Sequence, residues 1–289
     1  MQAFVVTVPL GDVELASDVL WGLGVVAIEE RPASSAASVD LWTAVGDEPD
    51  AIAEAGRVIG EAGRVIGDDW PWRTVEVDAS VADTWRDYAE ATRITPGLVV
   101  CPAWRTGSVD VVGDLVDEDQ ICLRIEPGST FGMGDHPTTV LSLRALAGVI
   151  AGGETVLDVG CGSGVLAIAA CRLGAATAHG IDISPASVEV TTANAIANGV
   201  AEQVTVATTP LAEVDGTYDI VVANILAPVL IDLAADLRRV LAPDGLLLIS
   251  GVLADNHEHV EAALYPLQRV DRLVQDGWAA VSLRFPPAG

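Results

Sequence analysis

The sequence contains no lysine. Its 15 basic residues are all arginines, against 41 aspartates and glutamates, and the formal net charge is −26. Non-specific binding of nucleic acid needs a basic surface, so we expect no direct nucleic-acid partner. The charge is compatible with a cationic protein substrate, although an acidic surface also serves solubility alone.

Cysteine is scarce, and the four cysteines are far apart in the sequence. No CxxC pair and no zinc-type spacing occurs among Cys101, Cys122, Cys161 and Cys171. This pattern predicts no metal site and fits reduced thiols in a cytoplasm.

Long apolar runs are also lacking. The most apolar stretch of the C-terminal half, IVVANILAPVLIDLAADL, contains Asn224, Pro228 and two aspartates, which makes it a poor membrane span. The first residues carry no basic segment followed by an apolar run, so we expect no signal peptide. The sequence therefore predicts a cytoplasmic protein without a membrane partner, and it indicates nothing about oligomeric state.

The N-terminal part reads as a small α+β unit. With 289 residues, of which 51% are apolar, the chain can form one large domain or two smaller ones. Residues 1–80 show strands at 4–8, 25–30, 38–45 and 73–77 and helices at 12–23 and 50–67. This βαββαβ order predicts a ferredoxin-like domain. Residues 81–127 are expected to form a linker and connecting region, with a helix at 82–92 and strands at 97–104 and 120–127.

Residues 128–289 alternate regularly between strand and helix. Such alternation predicts an α/β fold, a Rossmann-like and mainly parallel sheet of seven strands covered on both faces. One helix is expected over 227–241. The last two strands, 268–275 and 278–285, are separated only by Asp276 and Gly277, so they form a hairpin that adds one antiparallel strand.

The segment TVLDVGCGSGVLAIAA carries the strongest chemical signal. A buried strand leads through Gly160, Gly162 and Gly164 directly into a helix. Glycines allow a ligand to approach the backbone closely, and the helix N-terminus presents free N–H groups. We therefore predict that Gly160 and Gly162 bind a cofactor.

The spacing of these glycines distinguishes two cofactors. A dinucleotide-binding GxGxxG motif would need glycine at 165, where the chain has Val165. The GxGxG form, with Asp158 two residues before the first glycine, favours S-adenosylmethionine, whose ammonium and sulfonium suit an acidic loop. Asp182 ends the next strand, 22 residues after Gly160, where its carboxylate can bind both ribose hydroxyls.

Two further segments supply candidate site residues. Asn224 ends the strand YDIVVAN, on the side of the sheet where a ligand crevice is expected. Its carboxamide can accept a hydrogen bond from a substrate amine, or it can instead cap the helix at Ala227. In the glycine-rich segment PGSTFGMGDHPTT, Thr139 can bind a ligand or cap a helix. His136 can act as a base or stabilise the loop.

Four motifs resemble the PrmA family, methyltransferases of large-subunit ribosomal protein eleven. They are FGMGDHPTT, LDVGCGSGVLAIAACRLGA, GIDISPASVEVTTANAIANG and VVANILAPVL. The resemblance runs from about Trp85 to Trp278, and the order of elements extends it to the N-terminal domain. One departure is Met133, where the family motif usually has threonine.

The resemblance implies a class I methyltransferase that methylates lysine or N-terminal amines of a ribosomal protein. It implies cofactor contacts at Thr139, Gly160, Asp182 and Asn224, and a pocket also lined by Phe131 and Gly132. It further implies that the N-terminal domain grips the ribosomal protein and that a flexible linker lets the catalytic domain reach several amines.

Other hypotheses remain open from the residues alone. The chain can methylate another protein or a small molecule, or it can be a non-catalytic relative that keeps the fold. A nicotinamide-dependent oxidoreductase is disfavoured by Val165. If the chain is a methyltransferase, Asn224 is the expected catalytic residue.

Overall fold

The computed structural model describes most of the chain in several ranges. These are residues 2–23, 25, 28–35, 37–45, 49–76, 90–104, 120–126 and 134–287. The chain divides into two compact units, Met1–Ala89 and Glu90–Gly289. None of the described helices has the length and apolar character needed to cross a membrane.

The N-terminal unit has the predicted element order. Its elements are β1 (Gln2–Pro9), α1 (Val13–Gly22), β2 (Glu29–Pro32), β3 (Ser38–Thr43), α2 (Pro49–Ile66) and β4 (Trp72–Glu76). The strands form an antiparallel sheet in the order β2-β3-β1-β4. Phe4, Leu20, Leu41 and Ile59 are buried between sheet and helices. That this unit is ferredoxin-like remains a prediction from its element order.

The second strand of this unit lies later in the sequence than predicted. The apolar run at 25–30 indicated a strand there, but β2 begins only at Glu29 and includes Arg31 and Pro32. Since β2 is an edge strand, a proline that cannot donate a hydrogen bond is tolerated in it.

Three short strands lie in the region that the sequence assigned to the connection. They are β5 (Thr92–Thr95), β6 (Leu98–Pro102) and β7 (Ile121–Ile125), and they form a sheet in the order β5-β6-β7. Leu98, Leu123 and Ile125 pack into the same apolar cluster as the large sheet. The described part of this region therefore belongs to the second unit. The helix predicted at 82–92 falls mostly outside the described residues, and Thr92 already lies in a strand.

The rest of the second unit is an alternating α/β domain. Its elements are α3 (Pro137–Val149), β8 (Thr155–Val159), α4 (Val165–Leu173), β9 (Thr177–Ile181), α5 (Pro185–Ala197), β10 (Val204–Ala207), β11 (Tyr218–Asn224), α6 (Ala227–Asp232), α7 (Ala234–Arg239), β12 (Leu241–Leu253), α8 (Glu258–Ala263), β13 (Gln268–Gln275) and β14 (Trp278–Arg284). The sheet order is β10-β9-β8-β11-β12-β14-β13. Strand β14 runs opposite to the other six: its pairs with β12 and β13 are antiparallel, and the remaining pairs of this sheet are parallel. The predicted Rossmann-like sheet of seven strands is confirmed.

Both faces of this sheet are buried. Along β11, Ile220 and Val222 belong to one apolar cluster, while Val221 and Ala223 belong to the other. Successive side chains of a strand point to opposite faces, so the continuous apolar run of β11 reflects helices on both sides. This layering leaves the carboxyl ends of the parallel strands as the edge where polar side chains can gather.

The prediction of a single helix over 227–241 is wrong. Two short helices, α6 and α7, meet at Leu233, whose φ of −86° and ψ of 0° break the regular helix. Leu230 and Leu237 on either side are fully buried, so each helix packs its own apolar side chain into the core. The stretch from Leu230 to Leu237 contains no glycine or proline, so no local signal indicates the break.

Gly251 in β12 offers a test of the close packing between β12 and the segment that follows β11. Its φ is +82°, and a Cβ placed there would lie 2.5 Å from the carbonyl oxygen of Ile225. Gly277, with a φ of +81°, has no atom within 4 Å of the equivalent position. Gly277→Ala should lower the free energy of unfolding by about 1–2 kcal/mol, because alanine disfavours the left-handed conformation. Gly251→Ala should lower it clearly more, because the backbone carbonyl of Ile225 must also move.

The measurement is the free energy of unfolding of both variants by urea titration. Equal losses of stability in the two variants would contradict the close approach of Gly251 to Ile225.

Candidate functional site

The connection between β8 and α4 is a tight glycine turn, here the glycine turn, residues 160–164. Gly160, Gly162 and Gly164 have φ values of +75°, +53° and +77°, a region that favours glycine. The N–H of Gly164 donates to the carbonyl of Cys161 at 2.8 Å, and the N–H of Gly160 donates to the carbonyl of Ile181 at 2.8 Å. The turn is therefore closed on itself and fastened to the end of β9.

At two of these positions close packing also requires glycine, in addition to the positive φ angle. A Cβ on Gly160 would lie 2.5 Å from Cγ2 of Ile225, and one on Gly164 would lie 2.5 Å from Cγ2 of Thr191. The glycine turn thus touches the segment after β11 on one side and helix α5 on the other. The first contact brings Gly160 next to the residue that follows Asn224.

Asp158 lies beneath the glycine turn and is fully buried. Its Oδ2 accepts a hydrogen bond from the N–H of Ala167 in the first turn of α4 at 3.1 Å, and its Oδ1 has no partner. Burial, together with the charge of nearby Asp182, raises the pKa of Asp158 to about 7. The carboxylate supplies the cap that Gly164, without a side chain, cannot give to α4.

Asp182 follows β9 and is held by backbone on both sides. Its Oδ2 accepts a hydrogen bond from the N–H of Gly162 at 2.9 Å, and its Oδ1 accepts one from the N–H of Ser184 at 2.9 Å. Each carboxylate oxygen has a further lone pair. The carboxylate is half-buried, so it can still accept two hydroxyl groups of a ligand in a fixed direction.

Asn224 and Thr139 form the second half of the site. The Nδ2 of Asn224 donates to Oγ1 of Thr139 at 3.4 Å, and Thr139 is buried with 1% of its surface exposed. The residue preceding α6 at its N-cap is Leu226, without a side-chain cap bond. Asn224 therefore does not cap that helix, which was the alternative interpretation of its side chain.

His136 caps helix α3. Its Nδ1 accepts a hydrogen bond from the N–H of Thr138 at 3.3 Å, and its ring lies edge-on to Trp278 with centroids 5.5 Å apart. Burial lowers the pKa of His136 below its ordinary value. His136 therefore has a structural role as the N-cap of α3, and Thr139 does not cap this helix.

The predicted site residues lie along one edge of the sheet. Gly162 contacts Asp182, Asn224 contacts Thr139, and Gly160 packs against Ile225 between these two groups. Phe131, Gly132 and Met133 lie outside the described residues. No group of three metal-ligating side chains is found in the part of the chain that the structure describes.

The donors and charges of this edge suit one class of ligand. Asp158 and Asp182 make it acidic, and Asp182 is placed to accept a pair of hydroxyls. A pyrophosphate would be repelled by the carboxylate of Asp182, and by Asp158 where it is ionised, whereas a cationic nucleoside with a ribose would be attracted. The unpaired Oδ1 of buried Asp158 is a polar atom that a cation or an ordered water can satisfy.

Comparison with known proteins gives the family. Residues 67–286 match the family described as Ribosomal protein L11 methyltransferase (PrmA). The chain belongs to this family. The match leaves out most of the N-terminal unit.

Individual PrmA relatives agree with this assignment. The Ribosomal protein L11 methyltransferase of Citrifermentans bemidjiense is 40% identical over 222 residues, which are 75% of this chain and 70% of the relative. That of Halalkalibacterium halodurans is 37% identical over 203 residues, or 69% of this chain and 63% of the relative. The chain thus spans about two thirds of the length of these relatives.

A solved structure shares the fold. The ribosomal protein L11 methylase from Lactobacillus delbrueckii subsp. bulgaricus superposes with a TM-score of 0.62 at 33% identity. The superposition covers 68% of this chain and all of that chain.

The sequence did not predict the residues that support the glycine turn from behind. Thr191 and Asn194 on α5 donate to the carbonyls of Gly162 and Ser163 at 3.1 and 2.9 Å. Their signal was present, because threonine and asparagine are poor residues for a helix interior. Two such residues in the helix, Thr191 and Asn194, followed on the same side by the C-cap residue Asn198, indicate a buried polar contact.

The pKa of Asp158 predicts how stability depends on pH. Because folding raises this pKa to about 7, the folded chain holds the proton more tightly than the unfolded chain. The contribution of Asp158 to stability is therefore largest below about pH 4 and is lost as the pH rises to about 7. Asp158→Asn keeps an acceptor for Ala167 without the charge. It should raise the melting temperature by about 5 °C at pH 8 and by less at pH 5.

Thermal unfolding without cofactor, by calorimetry at both pH values, provides the check. An Asp158→Asn variant whose gain is larger at pH 5 than at pH 8 would contradict the raised pKa.

Proposed function

We propose that this PrmA-family chain uses S-adenosylmethionine to methylate amines of ribosomal protein L11. The observation that carries the proposal is the fastening of Asp182 to the N–H of Gly162 at 2.9 Å. This bond fixes a diol-binding carboxylate beside the glycine turn, and Asn224 lies on the same edge. The cofactor supplies an electrophilic methyl group on a sulfonium sulfur.

Asp182, Gly160 and Gly162 would hold the nucleoside part of the cofactor. Asp182 would accept the ribose hydroxyls, and the glycine turn leaves backbone open to the ligand. Thr139 and Asn224 would line the side toward the substrate. By family resemblance, Phe131 and Gly132 would line the same pocket.

Asn224 would orient the attacking amine. Because its Nδ2 is engaged by Thr139, its Oδ1 is the atom left to accept a hydrogen bond from the amine. A hydrogen bond from N–H to Oδ1 turns the nitrogen lone pair away from Asn224, toward the methyl donor. Positioning of this kind supplies much of the catalysis in a displacement reaction.

The amine must be neutral when it attacks. A lysine with a pKa of ~10.4 loses its proton at a cost of roughly 4 kcal/mol at pH ~7.4, whereas an α-amine with a pKa near ~7.7 costs well under 1 kcal/mol. His136 already caps α3, so we assign it no proton transfer. The proton leaves to water, and the rate should rise with pH through the weakly alkaline range.

The substrate assignment rests on the family and on charge. A net charge of −26 favours a cationic protein partner, and the chain has a separate N-terminal unit (Met1–Ala89). We propose that this unit, predicted as residues 1–80, recognises the ribosomal protein. Strands β5, β6 and β7 of the predicted connection, residues 81–127, pack with the domain predicted as residues 128–289, so we propose the whole second unit, Glu90–Gly289, as the methyltransferase domain. A ribosomal protein substrate also places the reaction in the cytoplasm.

Asn224→Ala tests the catalytic role. Loss of a group that orients the nucleophile should lower kcat by about 100-fold or more. The dissociation constant of S-adenosylhomocysteine should change by no more than about threefold. Steady-state kinetics and equilibrium dialysis give the two values, and Asn256→Ala, at an exposed asparagine, is the matched control.

Full activity of Asn224→Ala would contradict this role. An equal loss of affinity and turnover would make Asn224 a cofactor ligand only.

The substrate is tested with ribosomes from a strain that lacks the family enzyme. Purified chain and S-adenosylmethionine labelled in its methyl group are incubated with these ribosomal proteins, and labelled peptides are identified by mass spectrometry. We expect label on amines of ribosomal protein L11. Label on a different protein would overturn the substrate, and no label from a chain that binds the cofactor would indicate a non-catalytic relative.

A further inference from the structure

Helix α5 and its C-cap residue Asn198 turn a polar stripe toward the interior. Thr191, Asn194 and Asn198 have 0%, 2% and 5% of their surface exposed. Buried amide groups destabilise a fold unless they are hydrogen-bonded, and asparagine is a poor residue for a helix interior. The burial of the two asparagines therefore requires hydrogen-bond partners for their carboxamides.

Both asparagines pair with the backbone at the edge of β7. Asn194 accepts from the N–H of Glu126 and donates to its carbonyl, both at 2.9 Å. Asn198 does the same with Arg124, at 2.9 and 2.7 Å. Residues two apart on a strand edge are thus matched by residues four apart on a helix, and the carboxamides take the place of a neighbouring strand.

The third hydrogen bond distinguishes the two asparagines. The Nδ2 of Asn194 also donates to the carbonyl of Ser163 in the glycine turn at 2.9 Å. The Nδ2 of Asn198 donates instead to the carbonyl of Asn194 in its own helix at 2.8 Å. Each carboxamide accepts one bond and donates two, so the pair differs mainly in whether it reaches the glycine turn.

The bond from Asn194 fixes one peptide plane of this turn. The carbonyl of Ser163 and the N–H of Gly164 belong to the same trans peptide and point in opposite directions. The N–H closes the turn on Cys161 at 2.8 Å, and Asn194 holds the carbonyl from the far side. Thr191 holds the preceding carbonyl, that of Gly162, at 3.1 Å. Helix α5 thereby holds two successive peptide planes of the glycine turn.

We propose that Asn194 is a positioning residue for the cofactor, joining the glycine turn to the end of strand β7 through one carboxamide. The inference rests on the proposed function, since it assumes that the glycine turn binds S-adenosylmethionine. Asn194 itself is buried behind the turn and is not a ligand of the cofactor. Its removal should let the turn relax without changing the groups that orient the amine.

The test compares Asn194→Ala with Asn198→Ala. Both variants lose a buried carboxamide and three hydrogen bonds, so their melting temperatures should fall by similar amounts. Only Asn194→Ala should raise the KM for S-adenosylmethionine and the dissociation constant of S-adenosylhomocysteine, by about tenfold, as expected for one lost buried hydrogen bond. The kcat at saturating cofactor should stay within about twofold of wild type for both.

Should either alanine variant fail to fold, Asn194→Ser and Asn198→Ser give the same comparison with a hydroxyl that can keep one bond. Equal cofactor affinities in the two variants, while the wild-type chain binds, would overturn the role of Asn194 and leave the proposed function intact. Absence of binding by the wild-type chain would overturn both.

Discussion

The hydrogen bond from the N–H of Gly162 to Asp182 is the contact on which the site depends. It joins the turn after β8 to the end of β9, so that two neighbouring strands present one rigid surface. The bond is possible only because the backbone at Gly160, Gly162 and Gly164 adopts positive φ angles. A side chain at the first or the last of these positions would strike a neighbour. The sheet order then adds Asn224 from the adjacent strand β11.

A destabilising buried carboxyl, that of Asp158, lies beneath the same turn. Asp158 is buried with its Oδ1 unpaired, and its Oδ2 accepts a hydrogen bond from the N–H of Ala167 in the first turn of α4. A buried carboxyl of this kind destabilises the folded chain at neutral pH, so its presence is better explained by ligand binding than by stability. Thr191 and Asn194 on α5 hold the same turn from behind through the carbonyls of Gly162 and Ser163. The glycine turn and Asp158 therefore affect both ligand binding and the stability of the fold.

The fold of the second unit could be predicted largely from sequence, because short continuous apolar runs, typical of buried parallel strands, alternate with longer helical segments. The break at Leu233 could not, because no glycine, proline or other local residue marks it. Strand β5, which begins at Thr92, the last residue of the helix expected at 82–92, was not predicted. Of the site, Asp158 and the glycines lie in one short segment and Asp182 follows the next strand, so these residues were predictable. The contacts of Asn194 with Ser163 and Glu126 join distant segments, and a single sequence does not show which segments meet.

The central claim is that this acidic turn accepts a cationic or neutral sulfur nucleoside and rejects a dinucleotide. Isothermal titration calorimetry of the wild-type chain with S-adenosylhomocysteine and with NAD tests it most directly. The account predicts saturable heat with one site per chain for the sulfur nucleoside and no measurable heat for NAD. Saturable heat for NAD, or none for either S-adenosylmethionine or S-adenosylhomocysteine, would contradict it.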